Sequence, residues 1–502
     1  MVNAKSKYSF LYSLDLDQDV IERLSRHLER TEEGSNEVFV TPMAKEYSPE
    51  LLLAEFDKVF DSNRSLMNET LINLELSNKA KVGPRSIAKP WSERKENFLS
   101  GFGNPELSKS VDFLPNIGKG RLRPLATTTA LTLLKNNTNS GLPYYTKKGK
   151  VKERVLDKYD SLLDRRDPCI LFTRTQEQMK TRDVWGYPIA DTLFEMCYYS
   201  PLLAYQKALI YRAALISPDE VSRRITQLID KCNVREMMLV SLDIARFDQS
   251  AKSKLQKVAF NYIKSLYQAT YHSEIDRIQD RFKSIGIVTP SGVLTGDHGI
   301  PSGSTFTNEV GSIIQYSVGT SLPFVDGNDI QVQGDDGVYL VPKDKVDELF
   351  EQFESCGLQI NRDKSYQSNN YVVYLQNLFH SDYRKDGIIG GIYPIYRALN
   401  RIMYQERWSD FEDYGVTGKD YYSIRTICIV ENCKHHPLFR ELVKFILRYD
   451  KYSLDISDQG VTSYVHMISS SYGAGEILNN QYGDNVGGIK SFETYKLIKE
   501  LS

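Results

Sequence analysis

"IQVQGDDGVYLV", residues 330–341, sets two adjacent carboxylates, Asp335 and Asp336, after a glycine and between two runs of strand-forming residues. That pattern predicts a hairpin with the acids at its tip. Like charges side by side repel, and the cost is tolerated when a counter-charge is present. Taken alone, such a tip reads most simply as a surface turn with an acid pair. The reading therefore depends on whether other acids converge on it.

Upstream, "EMMLVSLDI" (236–244) is a nearly continuous apolar run that predicts a strand buried in the centre of a sheet. Asp243 ends it and Asp248 follows in "DIARFDQS". On one helix, positions five apart stand about 140° apart and share no face. If the strand stops at Asp243 and the chain loops, both acids can face one cleft from its rim. After "SGSTFT", Phe306, Val310, Ile313, Ile314 and Val318 fall at helical spacing. An oxygen-only ligand set without His or Cys suits a hard cation, Mg²⁺ or Mn²⁺. Two such ions about 3.5–4 Å apart can clamp the attacking and leaving oxygens of a phosphoryl transfer.

The surrounding chain is that of an ordinary globular protein: 502 residues, 41% hydrophobic, 25% charged, formal net charge -2. The near-neutral balance excludes a whole-chain basic signature, so any nucleic-acid site must be a local basic groove. The six cysteines contain no CxxC pair and read as reduced thiols of a cytosolic setting. Cys428, Cys433, His435 and His436 lie close together, but their spacing fits no common zinc pattern and reads as packing. "DLDQDV" (15–20) alternates aspartates like a calcium loop, yet Val20 and Arg26 stand where glycine and glutamate are required. The N-terminus lacks the apolar core of a signal peptide, and no apolar run is long enough for a transmembrane helix.

"SPELLLAEFDKVF" predicts a helix capped by Ser48 with Pro49 at its first position. Residues 81–124 read as extended or looped, 200–231 and 343–356 as helical, and the chain past 395 as mostly helical. Near the C-terminus, "SSYGAGEILNNQYGDNVGGIK" (470–490) is glycine-rich and carries Tyr472 and Tyr482. Either it folds back as a stacking platform or plug for a catalytic cleft, or it is a tail anchored by "SFETYKLIKELS" as a closing helix.

"SLDIARFDQS", "GIPSGSTFTNEVGS" and "VQGDDGVYL" resemble motifs A, B and C of viral RNA-dependent RNA polymerases, and the overall pattern is similar to those of double-stranded RNA viruses of the picobirnavirus and partitivirus kind, with length and the motif B wording pointing to the picobirnavirus kind. The resemblance spans roughly residues 135–385, with motifs in the family order G, F, A, B, C, D, E. It implies an α+β right-hand fold with fingers, palm and thumb, closed fingertips, an antiparallel palm sheet backed by helices, and a helical thumb. Residues 1–235 would be N-terminal extension and fingers. Residues 236–385 would be palm with a fingers insertion at about 250–295, and 386–502 thumb and C-terminal loop.

It also implies roles. Asp243 and Asp335 would be metal ligands, Asp336 a weaker one, for two Mg²⁺ or Mn²⁺ ions. Asp248 would sense the ribose 2′-hydroxyl. Ser302 and Gly303 open the flexible motif B loop, and Thr307 matches the family threonine. Many related enzymes carry an asparagine four residues later, where this chain has Gly311; its asparagine is Asn308, to which the sugar-selecting role passes. "CGLQINRDKSY" resembles motif D, with Lys364 protonating the leaving pyrophosphate. "RTQEQMKTRDVWGYP" resembles motif F, with Arg174, Lys180 and Arg182 as a cationic roof over the triphosphate. "SGLPYYTKKGK", with Ser140, Gly141 and Pro143, resembles motif G at the template entrance, and "YVVYLQNLFHSDY" occupies the place of motif E. The partners implied are template and product RNA, nucleoside triphosphates and capsid protein, in the virion interior and host cytoplasm. The rivals are a reverse transcriptase, which usually has an aromatic residue where Gln333 stands, and a non-catalytic RNA-binding or capsid scaffold, which has no use for ordered acids. Incorporation of nucleotides under a divalent-metal titration separates them.

Overall fold

The computed structural model describes residues 7–107, 118–472 and 488–501. Its centre is a four-stranded antiparallel sheet in the order Ile330–Gln333, Asp336–Pro342, Met237–Leu242, Tyr366–Ser368. The run around Met237–Leu242 is apolar on both faces because helices cover both. On one side Val240, Leu242, Ile330, Val332, Tyr339 and Val341 join the core that includes the Thr307–Thr320 and Val346–Ser355 helices. On the other, Leu239, Val338 and Leu340 pack against Val221, Ile225, Leu228 and Ile229 of the Pro218–Arg235 helix. Burial of this kind, at about 25 cal/mol per Å² of apolar surface, is the main force holding the sheet between its helices.

A second four-stranded sheet joins distant segments. The hairpin Cys169–Thr175/Thr181–Gly186 pairs in parallel, through its first strand, with Ile287–Thr289, which turns back as Gly292–Leu294. The segment between the Asp248 turn and residue 294 therefore leaves the central sheet and rejoins the chain beside the hairpin of residues 169–186.

Most local expectations hold. Ser48 Oγ accepts from Leu51 N–H, and Pro49 opens the helix Pro49–Ser62. The C-terminal part carries helices Ile395–Met403, Gly418–Glu431, Phe439–Tyr449 and Asp458–Tyr472, with Glu493–Leu501 closing the chain. Residues 473–487, most of the glycine-rich loop, lie outside the described residues. Two expectations need correction. The stretch read as looped contains a helix, Trp91–Leu99, whose one buried stripe, Trp91, Arg94 and Phe98, is too short to stand out as a period. The helical 200–231 is two helices, Ile189–Gln206 and Pro218–Arg235, separated by a 3₁₀ turn, because Ser217 and Pro218 cap and start the second afresh.

The N-terminal region contributes to two separate cores. Tyr8, Leu11, Ile21, Leu24 and Leu28 pack on Ile170 and Val288 of the second sheet. Residues 43–71 instead share a core with Leu399, Ile424, Leu442 and Ile446, and Phe39–Val40 pairs with Tyr404–Gln405. Buried Glu75 accepts from the Ile395 and Tyr396 N–H groups at 2.8 and 3.2 Å and contacts His436 Nε2 at 3.0 Å. That carboxylate caps the Ile395–Met403 helix from another part of the chain.

Candidate active site

Gln333 pairs with Asp336 across a two-residue turn made of Gly334 and Asp335. Gly334 has φ 63°, which the turn requires and glycine allows. Asp335 stands exposed at the tip and Asp336 is the first residue of the returning strand. Leu242 pairs with Gly337 in the antiparallel ladder, so Asp243, one position further, comes beside Asp336. Asp243 is fixed by its own backbone: its N–H donates to Ser365 Oγ at 3.0 Å and its carbonyl accepts from Asn361 N–H at 2.8 Å. Those contacts bring the 3₁₀ turn Arg362–Lys364 to the same place. Beyond Asp243, Arg246 adopts a left-handed conformation (φ 49°) and starts the single turn Phe247–Ser250 that carries Asp248.

The Thr307–Thr320 helix supports the acid turn from behind. Ser312 Oγ accepts from Gly334 N–H at 2.8 Å, and Gln315 Nε2 donates to Gly334 O at 3.0 Å. Asn308 Oδ1 lies where a side chain on Gly334 would meet it at 3.1 Å. A side chain at Gly311 would meet the Phe247 ring at 3.0 Å, tighter than ordinary contact, so an asparagine there would require that ring to shift by a few tenths of an ångström. Thr307 Oγ1 is engaged by the Pro301 and Ser304 carbonyls at 2.7 and 2.9 Å, inside the loop. Ser302 Oγ accepts from Trp185 N–H at 3.2 Å, and any Cβ at Gly303 would overlap the Trp185 carbonyl.

A cavity of about 460 Å³ opens here. Its walls bring together Asp243, Asp248, Asp335, Lys180, Arg182, Lys364 and Ser302. Asp336, Gly303, Thr307 and Asn308 stand behind that wall. Arg174 lies across the hairpin from Arg182, outside the lining, with its Nε on Glu406 Oε1 at 2.9 Å. Asn97, Phe98, Gly101 and Phe102 complete the wall, and nothing in the sequence pointed to them.

The charges answer one another. Burial, then the negative charges of Asp335 and Asp243, push the Asp336 carboxyl up to about 7. Asp248 reaches the cavity surface yet has protein on most sides; burial, then Asp335, raises it to about 6 against the pull of Arg182. Burial, with Arg182 and Lys364 adding to it, lowers the Lys180 ammonium. Burial and like-charge neighbours thus disfavour the charged forms of Asp336, Asp248 and Lys180 alike, so the site gathers charge of both signs. Among the described residues no three His, Cys, Asp or Glu side chains close into a metal cage. Oxygen-only, open carboxylates fit Mg²⁺, which takes one or two carboxylates and completes its shell with water and substrate phosphate.

The motif G residues sit differently. Ser140 is fully buried, its Oγ accepting from Thr146 N–H at 3.2 Å, and Gly141 (φ 63°) lies against the Tyr187 carbonyl. Pro143 follows in a cis peptide, partly exposed. Ser140 and Gly141 thus build the loop rather than its surface.

Two buried charges behind the site were not singled out in the sequence. Arg212, without accessible surface, makes a bidentate pair with Glu309 at 2.7 and 2.9 Å and donates to Gln333 Oε1 at 3.2 Å. Glu195 accepts from Ser304 Oγ, Thr305 Oγ1 and Thr305 N–H at 2.8–3.0 Å, pinning the motif B loop. Burial raises the Glu195 carboxyl to about 7 despite those donors. A raised folded-state pKa stabilises fully below the unfolded value and is lost as pH rises through the folded one. Glu195→Gln is therefore expected to gain on the parent protein by up to about 3 kcal/mol between about pH 4.5 and 7. Denaturant midpoints of both proteins across that range check it; parallel curves would remove Glu195 as the source.

A sequence profile described as "Viral RNA-dependent RNA polymerase" matches residues 109–389, more than half of the chain. A human picobirnavirus protein described as "Potential RNA-dependent RNA polymerase" is 30% identical over 461 residues, 85% of each chain. The "RNA-directed RNA polymerase" of Cryptosporidium parvum virus 1 is 22% identical over 269 residues, 48% of this chain and 51% of that one. The crystal structure of a human picobirnavirus RNA-dependent RNA polymerase superposes with a TM-score of 0.80 at 25% identity, covering 100% of this chain and 99% of that one.

Proposed function

This chain belongs to the viral RNA-dependent RNA polymerases, and we propose that its reaction is carried out in the cavity between Asp243, Asp335, Lys180 and Lys364. It is an RNA-directed RNA polymerase, a nucleotidyltransferase of the kind found in double-stranded RNA viruses, with RNA and nucleoside triphosphates as its partners. The family works with divalent metal ions. The observation that supports the site is that Asp243, Asp248 and Asp335 line one cavity together with Lys180, Arg182 and Lys364.

A 3′-hydroxyl attacks the α-phosphate of a nucleoside triphosphate, and pyrophosphate leaves. Asp243 and Asp335, with Asp336 as the weaker third, would hold two Mg²⁺ or Mn²⁺ ions. Ions bound there stabilise negative charge on the attacking and leaving oxygens. Lys180 and Arg182, joined by Arg174, bind the triphosphate oxygens, the arginines as forks and the lysine as a point charge. Lys364, held beside Asp243 by the Asn361 and Ser365 contacts, gives its proton to the departing pyrophosphate. Ser302 and Gly303 move with the incoming nucleotide against Trp185. Ser140, Gly141 and Pro143 shape the template entrance from within. The template is held through phosphates and shape, because a polymerase that copies any sequence must not read bases directly.

The hand divides as fingers with the N-terminal extension (1–235), palm (236–385) and thumb (386–502), with one amendment: residues 39–80 belong with the thumb core. The same reading takes capsid protein as a partner and the virion interior and host cytoplasm as location, supported by the relatives' viral origin. No helix among the described residues is long and apolar enough to cross a membrane.

Asp248 selects ribose at the cavity wall, and Asn308, whose Nδ2 donates to Glu309 Oε1 at 3.2 Å behind that wall, turns to join it. A site built to hydrogen-bond a hydroxyl rejects the analogue lacking it, because its own polar groups are left unpaired. Asp248→Ala is expected to shrink the ribo-to-deoxy preference at least about tenfold, and more than it changes base fidelity. Single-nucleotide incorporation of paired ribo- and deoxynucleotides measures this. An unchanged preference in Asp248→Ala rejects the assignment, and one in Asn308→Ala makes that asparagine structural.

A further inference from the structure

Glu406 follows the short strand Tyr404–Gln405 and places its carboxylate between two guanidiniums from distant parts of the chain. Oε1 accepts from Arg174 Nε at 2.9 Å, and Oε2 lies 4.0 Å from Arg85 Nη2. Arg85 donates from Nε to Glu177 Oε2 at 3.3 Å. Arg174 and Glu177 both belong to the motif F hairpin, so the thumb side and the N-terminal region hold that hairpin together. Arg174 is paired directly with Arg182 in the ladder. Two guanidiniums opposite each other on one hairpin face repel. Arg182 faces the cavity, while Arg174, just outside it, is neutralised by Glu406.

Glu406 has a second place to go. Arg85 is only a tenth exposed, and burial followed by nearby Arg401 works against its charge, with Glu177 and Glu406 offsetting them. Arg397 acts on Glu177 from the Ile395–Met403 helix. A carboxylate that leaves Arg174 therefore enters a cluster already short of negative charge.

We propose that Glu406 is a positioning residue for nucleotide addition: it holds Arg174 as a stand-in for phosphate, yields it to the incoming triphosphate, and swings its own carboxylate onto Arg85. The inference rests on Arg174 being a triphosphate ligand. On Arg174 the exchange replaces one charge-assisted hydrogen bond by another, and on Arg85 it closes an ion pair already at 4.0 Å, so it is inexpensive in both directions. It also ties the thumb side of the channel to occupancy of the nucleotide site, since the fingers–thumb contact through Glu406 opens whenever Arg174 turns inward.

Primed extension with one complementary nucleotide tests the exchange. A half-exposed ion pair that a ligand must break competes only weakly, so Glu406→Gln is expected to lower KM for the nucleotide roughly two- to fivefold, with the effect on KM rather than kcat. Glu406→Asp keeps the competing charge and returns KM toward the parent value. In an Arg174→Ala background, Glu406→Gln moves KM no further. Arg174→Ala alone raises KM; if it does not, Arg174 is no triphosphate ligand, and that reading falls with the proposal. If Arg174→Ala does raise KM but Glu406→Gln leaves it unchanged or raises it, the exchange alone is overturned. Melting temperatures of all four proteins separate a loss of fold from either result.

Discussion

Asp335→Ala is expected to stop nucleotide incorporation, by on the order of 10³-fold or more, while leaving the protein folded. Asp335 stands exposed at the hairpin tip, where its side chain holds up no packing. Its negative charge is one reason the Asp336 carboxyl rises to about 7, so removing it relieves a repulsion. Stability is accordingly expected to hold or rise slightly. Activity is expected to respond differently, because in the proposed role the carboxylate would serve charge that develops in the transition state rather than the ground state. Asp243→Ala is expected to behave the same way, its backbone contacts to Ser365 and Asn361 being independent of the side chain. Either variant retaining more than a few per cent of activity, at any Mg²⁺ or Mn²⁺ concentration, sinks the assignment.

The second large effect is on stability. Arg212→Met is expected to cost about 3–5 kcal/mol, because it leaves the Glu309 carboxylate buried without its counter-charge. The same change frees Gln333 Oε1, one residue before the Gly334 turn, so activity should fall along with stability. The paired change Arg212→Met with Glu309→Gln removes both charges and is expected to recover most of the loss, as neutral replacements of buried ion pairs commonly do. Urea midpoints for the single and double variants measure this. A double variant no better than Arg212→Met would mean that Gln206 and Gln333, rather than the ion pair, account for the destabilisation.

What the sequence made legible was local. The Gly334–Asp335 turn, the strand ending before Asp243 and the helix after "SGSTFT" each announce themselves within about ten residues, through alternation, helical spacing or turn chemistry. Chain order then carried the acids to one cavity. What stayed hidden depends on contacts between distant residues. Arg212 meets Glu309 and Glu406 meets Arg174 across long separations, and a charged residue in sequence looks the same whether it ends buried or solvated. The Trp91–Leu99 helix is short, and it matters because it brings Asn97 and Phe98 into the wall of the cavity that Asp243 and Phe247 also line, which no periodicity encodes. Asn308 came from the motif B resemblance, and the tight 3.0 Å approach of the Phe247 ring to a side chain at Gly311, which accords with a glycine there, could not be read from the sequence.

Where manganese binds decides the role of the three carboxylates. Crystals of the protein grown with Mn²⁺ and a non-hydrolysable nucleoside triphosphate, measured for anomalous scattering, should show two peaks about 3.5–4 Å apart among Asp243, Asp335 and Asp336. The same peaks should vanish in Asp335→Ala. Strong manganese peaks elsewhere, with nucleotide bound and none beside these acids, would refute the site.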